Sequence, residues 1–212
     1  MRAIKVQLVD DLKLVETSLR LLLDSDPQFE VVGRAQCSSE CGNNCVKNEA
    51  VVVVLSIPQH GRCNLNCIRR ISSKAPRTSI LVLTDLENTA LASRALKAGA
   101  KGYLTKMSTP EMLKEAICEL AAGRTFIDPW MAQQLAMQKT MGERGPFDAL
   151  TAREFEIALM LVENLSRDEI ARLLHVSPKT VSNHHTNVIR KLGINSEAGL
   201  ARLAISHGIV IN

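Results

Sequence analysis

Residues 150–194 read LTAREFEIALMLVENLSRDEIARLLHVSPKTVSNHHTNVIRKLGI, and every local signal in that stretch is helical. Thr151 with Glu154, and Ser166 with Glu169, have capping-box spacing: the hydroxyl caps a backbone N–H three residues on, and the carboxylate returns the bond. Ser177-Pro178 adds a third cap, with proline in the first turn, where a missing N–H costs nothing. Phe155, Ala158, Leu159 and Val162 share one helix face, and Ile170, Leu173 and Leu174 share the next. Only His175–Ser177 separates the second helix from the third, Pro178 to Leu192, and so short a turn predicts a helix-turn-helix.

At 100° per residue the third helix has two unlike faces. Val181, His185, Val188 and Leu192 fall together and are expected to point inward. Lys179, Ser182, Asn183, Thr186 and Arg190 fall on the opposite side, and no acidic residue lies between Pro178 and Leu192. Such a face approaches phosphates without repulsion. Its amide and hydroxyls suit base edges, and its cations supply counter-charge.

Working back toward residue 1, the pattern changes. Ile4–Val9, Phe29–Ala35, Val51–Leu55, Ser79–Leu83 and Gly102–Leu104 read as short strands. Between them Leu12, Val15, Leu19 and Leu22, and then Leu91, Ala95 and Ala98, recur at helical spacing. The last helix of this half has Ser108 or Thr109 to cap it, Pro110 in its first turn and Gly123 to end it. Alternating units of this kind imply a doubly wound, five-stranded parallel sheet, so the chain is α/β followed by all-α. Ligands of such sheets sit at the carboxyl ends of the strands. Those ends carry Asp10-Asp11, Ser56, Thr84 and Lys106. The expected division is a sheet domain over 1–122, a linker with a short helix over 123–147, and a four-helix domain over 148–212.

Composition is that of a globular chain, 46% hydrophobic and 23% charged. Runs such as Val51–Leu55 are too short to span a bilayer, and Met1–Val9 lacks the features of a secretory signal, so the protein is expected in the cytoplasm. The formal net charge of +4 does not come from the helical half: Asp148 to Asn212 holds seven Lys/Arg and seven Asp/Glu. Any attraction for a polyanion must therefore be local to the third helix. No constellation of nucleophile and base and no phosphate-cradling glycine loop is present, which argues against an enzyme.

The residues Asp10-Asp11 in "LVDD", Thr84 in "LVLTD", and Tyr103 and Lys106 in "GAKGYLTK" resemble a response-regulator receiver domain, over residues 1 to about 122. The stretch quoted first resembles the LuxR-type helix-turn-helix of NarL/FixJ response regulators; with "GPFDAL" before it and "LAISHGI" after it, the resemblance is closest to the GacA/UvrY group. It implies double-stranded DNA as partner, Lys179, Ser182, Asn183 and Thr186 facing the groove, Thr180 and Lys191 against phosphates, and a homodimer on DNA through the final helix, about Ser196 to His207. Two positions depart from the pattern: Ser182 stands where many relatives carry Lys, and Asn164 where Gly is common.

Against the receiver pattern the third strand lacks its aspartate. Val51-Val52-Val53-Val54-Leu55-Ser56-Ile57 puts Ser56 at the phosphoacceptor position, and Pro58-Gln59-His60-Gly61 replaces the usual loop. A serine is a poor nucleophile without a base, and losing one of three carboxylates weakens or abolishes a magnesium site. The receiver is thus expected to be a pseudo-receiver that takes no phosphate, with Thr84 and Tyr103 lacking their usual trigger and Lys106 paired with Asp10 or Asp11. Two alternatives are a module that heterodimerises with an ordinary response regulator and antagonises it, and a redox or metal sensor built on Cys37, Cys41, Cys45, Cys63 and Cys67. The preferred reading of these cysteines is buried structural thiols.

Overall fold

The computed structural model describes residues 3–35, 41–57, 65–85, 88–141 and 145–207; the side chains of Cys41 and Met141 are not described. The remodelled loop with His60, together with Cys37 and Cys63, lies outside the described residues. The chain divides into two compact units, one built on a sheet and one on the helices that follow it.

The first unit runs β1 (Ile4–Val9), α1 (Lys13–Asp24), β2 (Phe29–Ala35), α2 (Cys41–Lys47), β3 (Val52–Ile57), α3 (Leu65–Lys74), β4 (Ser79–Thr84), α4 (Thr89–Lys97), β5 (Gly102–Thr105), α5 (Pro110–Ala121) and β6 (Phe126–Ile127). The strand order is β2-β1-β3-β4-β5-β6. Every pair is parallel. The sheet therefore has six strands, one more than expected. β6 is only two residues long, too short to carry a period, and it joins because Gly102 and Tyr103 of β5 offer an edge to Phe126 and Ile127. β3 and β4 are buried at every residue, which is why they read as continuous apolar runs rather than alternation.

Two local features required tertiary contacts. Gly42, Asn43 and Asn44 weaken a helix, yet α2 forms. It packs on α3 so closely that a Cβ at Gly42 would meet the Arg70 carbonyl oxygen at 3.1 Å. Cys45 and Cys67, on these two helices, are both fully buried. Beside a register break between Val6 and Gln7, the buried Gln7 Oε1 accepts from Asn48 Nδ2 at 2.8 Å. A Cβ at Gly33 would sit 2.2 Å from that Asn48 nitrogen, so only glycine fits there.

The second unit is helical. After α6 (Pro129–Met141) and a 3₁₀ turn (Pro146–Ala149) come α7 (Ala152–Val162), α8 (Arg167–Leu174), α9 (Pro178–Leu192) and α10 (Glu197–Ser206). Both capping boxes form as spaced, at Thr151/Glu154 and Ser166/Glu169. Ser177 Oγ accepts from the Thr180 N–H at 3.1 Å, with Pro178 in the first turn of α9. Asn164 adopts φ 62°, the left-handed conformation that lets asparagine stand where glycine is common. α7 packs on α8, α9 and α10, and α8 on α9, while Phe147 of the 3₁₀ turn meets the Phe155 ring edge-on at 6.2 Å.

Candidate nucleic-acid interface

The α8–α9 turn is made by His175, which closes α8 in the left-handed conformation at φ 52°. The chain then enters the Ser177 cap, and α9 emerges with its apolar stripe inward. Val181 and Val188 are fully buried, and His185 and Leu192 are partly buried. On the other side Lys179, Asn183, Thr186 and Arg190 are exposed, with Ser182 and Thr180 partly so. Their hydrogen bonds are local. Thr186 Oγ1 donates to the Ser182 carbonyl at 3.0 Å, Thr180 Oγ1 lies 2.8 Å from Ser177 Oγ, and Arg190 Nη2 donates to Asn187 Oδ1 at 3.2 Å. No bond is printed for the side chain of Lys179 or Asn183, and both reach outward from the first two turns.

Lys191 is different. Its ammonium donates to Glu154 Oε2 at 2.6 Å, and the same oxygen accepts the Thr151 N–H at 2.7 Å. Burial alone would push the Glu154 carboxyl up, but the bonds from Lys191 and Thr151 reverse this and hold it below the ordinary glutamate range. One carboxylate thus closes the cap of α7 and ties down the end of α9. The sequence showed the capping box but not this second use, because Lys191 lies 37 residues away. Nearby, His185 Nε2 sits 3.2 Å from Glu197 Oε1. Burial and then Arg167 hold this imidazole below its ordinary value, against an opposing pull from Glu197.

At the carboxyl edge of the sheet, β1 lies between β2 and β3, so the connections leave it in opposite directions and open a crevice. Register pairs Val9 with Leu55, placing Asp10 and Ser56 side by side at that edge. Asp10 is 7% exposed: Oδ1 accepts the Leu12 N–H at 2.7 Å, and Oδ2 is buried without a partner. Ser56 Oγ is likewise buried without a hydrogen bond. Asp11 is exposed, and Thr84 and Tyr103 are fully buried.

Lys106 does not pair with Asp10 or Asp11 as expected. Its ammonium donates to Asp85 at 2.9 Å. The reason is topological: Thr84 pairs with Thr105 on adjacent strands, so the next residues, Asp85 and Lys106, leave the sheet together. Asp10 is on β1, with β3 and β4 intervening before β5. The "LVLTD" segment contained this partner, but only its threonine had been singled out.

A receiver-type sheet with its polar residues at the switch point, followed by a helix-turn-helix with an acid-free outer face, defines the response-regulator class. Residues 6–118 match the response regulator receiver domain, and residues 148–204 match the bacterial regulatory proteins of the luxR family. The chain is 35% identical over 209 residues to the response regulator GacA of Pseudomonas aeruginosa, covering 98% of both. It is 33% identical over 208 residues to UvrY of Escherichia coli K12, covering 97% of this chain and 95% of the relative. Among solved structures, RcsB of Salmonella enterica serovar Typhimurium, bound to promoter rprA with the phosphomimetic BeF3−, superposes with a TM-score of 0.72 at 26% identity, covering 95% of this chain and 98% of that one. The chain belongs to the LuxR-family response regulators, transcription regulators with a DNA-binding helix-turn-helix rather than enzymes.

Proposed function

We propose that this chain is a cytoplasmic regulator that binds double-stranded DNA as a homodimer through α10, and that its receiver takes no phosphate. The division into a receiver over 1–122, a linker over 123–147 and a DNA-binding domain over 148–212 belongs to the same reading. The observation that carries it is Ser56: a buried neutral hydroxyl, without a base in hydrogen-bonding reach, stands at the acceptor position. Two carboxylates and a hydroxyl suit magnesium, which prefers charged oxygen ligands, less well than three carboxylates, and Lys106 is engaged by Asp85. Acetyl phosphate with magnesium is therefore expected to leave the intact mass unchanged. A gain of one phosphoryl group that disappears in Ser56→Ala would overturn the reading.

On the DNA side the proposed reading face is Lys179, Thr180, Ser182, Asn183, Thr186 and Arg190, with Lys191 assigned to Glu154. Dimerisation is supported by the RcsB neighbours, one of which is described as two dimers bound to two parallel DNAs. Asn183→Ala is expected to weaken a specific site by about 1–3 kcal/mol and to spare random DNA. Lys179→Ala is expected to weaken all sequences and to lower the salt slope by about one. Titrations against specific and random duplexes at several salt concentrations separate the two effects. If both variants, folded, bound the specific site as wild type does, α9 would not be the reader.

A further inference from the structure

On the α1/α5 side of the sheet the two helices do not close over the strands beneath them. α1 leans on β1 and β2, and α5 on β3, β4 and β5. A groove of about 350 Å³ opens between them. Leu19 and Leu22 of α1, Leu83 of β4 and Leu113 of α5 form its walls, and Leu14, 79% exposed, stands at the rim. At the carboxyl edge of the sheet the lining turns polar, with Thr105, Lys106 and Ser108. None of the lining residues is acidic.

The polar end has unused hydrogen-bonding capacity. Ser108 Oγ is shut off from solvent and has no partner among the described residues, a state that ordinarily costs stability. The Lys106 ammonium has three donors, and Asp85 takes one of them. A second copy of the chain, laid flat across the helices, would cover Leu14 but leave the Ser108 hydroxyl unpaired. A narrow ligand with an anionic end would reach it.

We propose that this groove binds a linear aliphatic carboxylate of about ten heavy atoms, the size its volume admits at roughly 30 Å³ per atom. The acyl chain lies between the leucines. The carboxylate accepts from Ser108 Oγ and from one N–H of Lys106. The site is distinct from the DNA-reading face and from the Asp10/Ser56 crevice.

Calorimetric titration of the full chain with octanoate tests this, with octan-1-ol and butanoate as controls. Octanoate is expected to bind saturably, one per chain, and more tightly than either control. Ser108→Ala is expected to weaken it about tenfold, the loss of one charge-assisted hydrogen bond, and Leu19→Trp to block the groove, with circular dichroism confirming each fold. If Leu19→Trp does not fold, Ser108→Ala decides alone. Absence of octanoate binding, equal binding of octan-1-ol, or an undiminished Ser108→Ala would each overturn the proposal. So would a concentration-dependent dimer that Leu14→Asp breaks and octanoate leaves intact, which would give the groove to a second copy.

Discussion

Val181→Asp is expected to abolish cooperative folding of the C-terminal helices. Val181 is fully buried on α9, in the layer where α9 packs on α7 and α8. An aspartate there cannot stay ionised without partners, so it takes up a proton, and doing so at pH 7 costs about 4 kcal/mol from a reference pKa near 3.9. Losing the buried valine adds about 1.5–3 kcal/mol. The sum, roughly 6 kcal/mol, falls within the ~5–15 kcal/mol that holds a whole domain together, and a unit this small sits near the lower end. Amide NMR should show the helical unit collapsing to random-coil shifts while signals of the sheet unit persist. A folded Val181→Asp protein that still discriminates its DNA site would mean that the two faces of α9 are assigned the wrong way round.

The second large effect is at Glu154. Its side chain is nearly buried, accepts from the Thr151 N–H and holds the Lys191 ammonium. Glu154→Ala removes half of a capping box and one member of an ion pair at once. Breaking buried pairs costs about 3–5 kcal/mol, but the Lys191 side chain is 29% exposed and can rehydrate, so about 3 kcal/mol is expected. Lys191→Met leaves the carboxylate with its Thr151 bond and should cost less, about 2 kcal/mol, with the salt slope of DNA binding unchanged.

The pH dependence follows from the same groups. A carboxyl held below its ordinary value stabilises fully above that value, and the benefit is lost as pH falls through the native one. The His185 imidazole is also held low, so the fold favours its neutral form, and stability begins to fall as pH drops below about 6.5. Denaturant melts of the C-terminal unit should therefore weaken in two stages on acidification. Lys191→Met should flatten the lower stage, and His185→Gln should remove the upper one. A Lys191→Met profile parallel to wild type down to pH 3 would show that the ion pair does not hold Glu154 ionised.

Most of the C-terminal unit was legible because its determinants are local. A cap and its partner lie three residues apart, an apolar stripe repeats every three or four, and both survive without knowledge of the rest of the fold. The same holds for the strands, whose β-branched runs are bounded by turn residues. Residues that meet only through pairing were not legible. Lys106 was assigned to the nearest acidic pair in the family pattern, and strand order gave it to Asp85. Lys191 was read as a phosphate contact from its place on α9, and helix packing brought it to Glu154.

By itself, then, the sequence determined the two fold classes, the strand-end polar residues, the serine at the acceptor position and the outward face of α9, since each depends on backbone periodicity or on the identity of one side chain. Only the tertiary structure decided the sixth strand, the formation of α2 over Gly42, the partners of Lys106 and Lys191, and the groove between α1 and α5. Each of these depends on which elements lie side by side, and that is set by register and packing across segments whose separation along the chain carries no period to read.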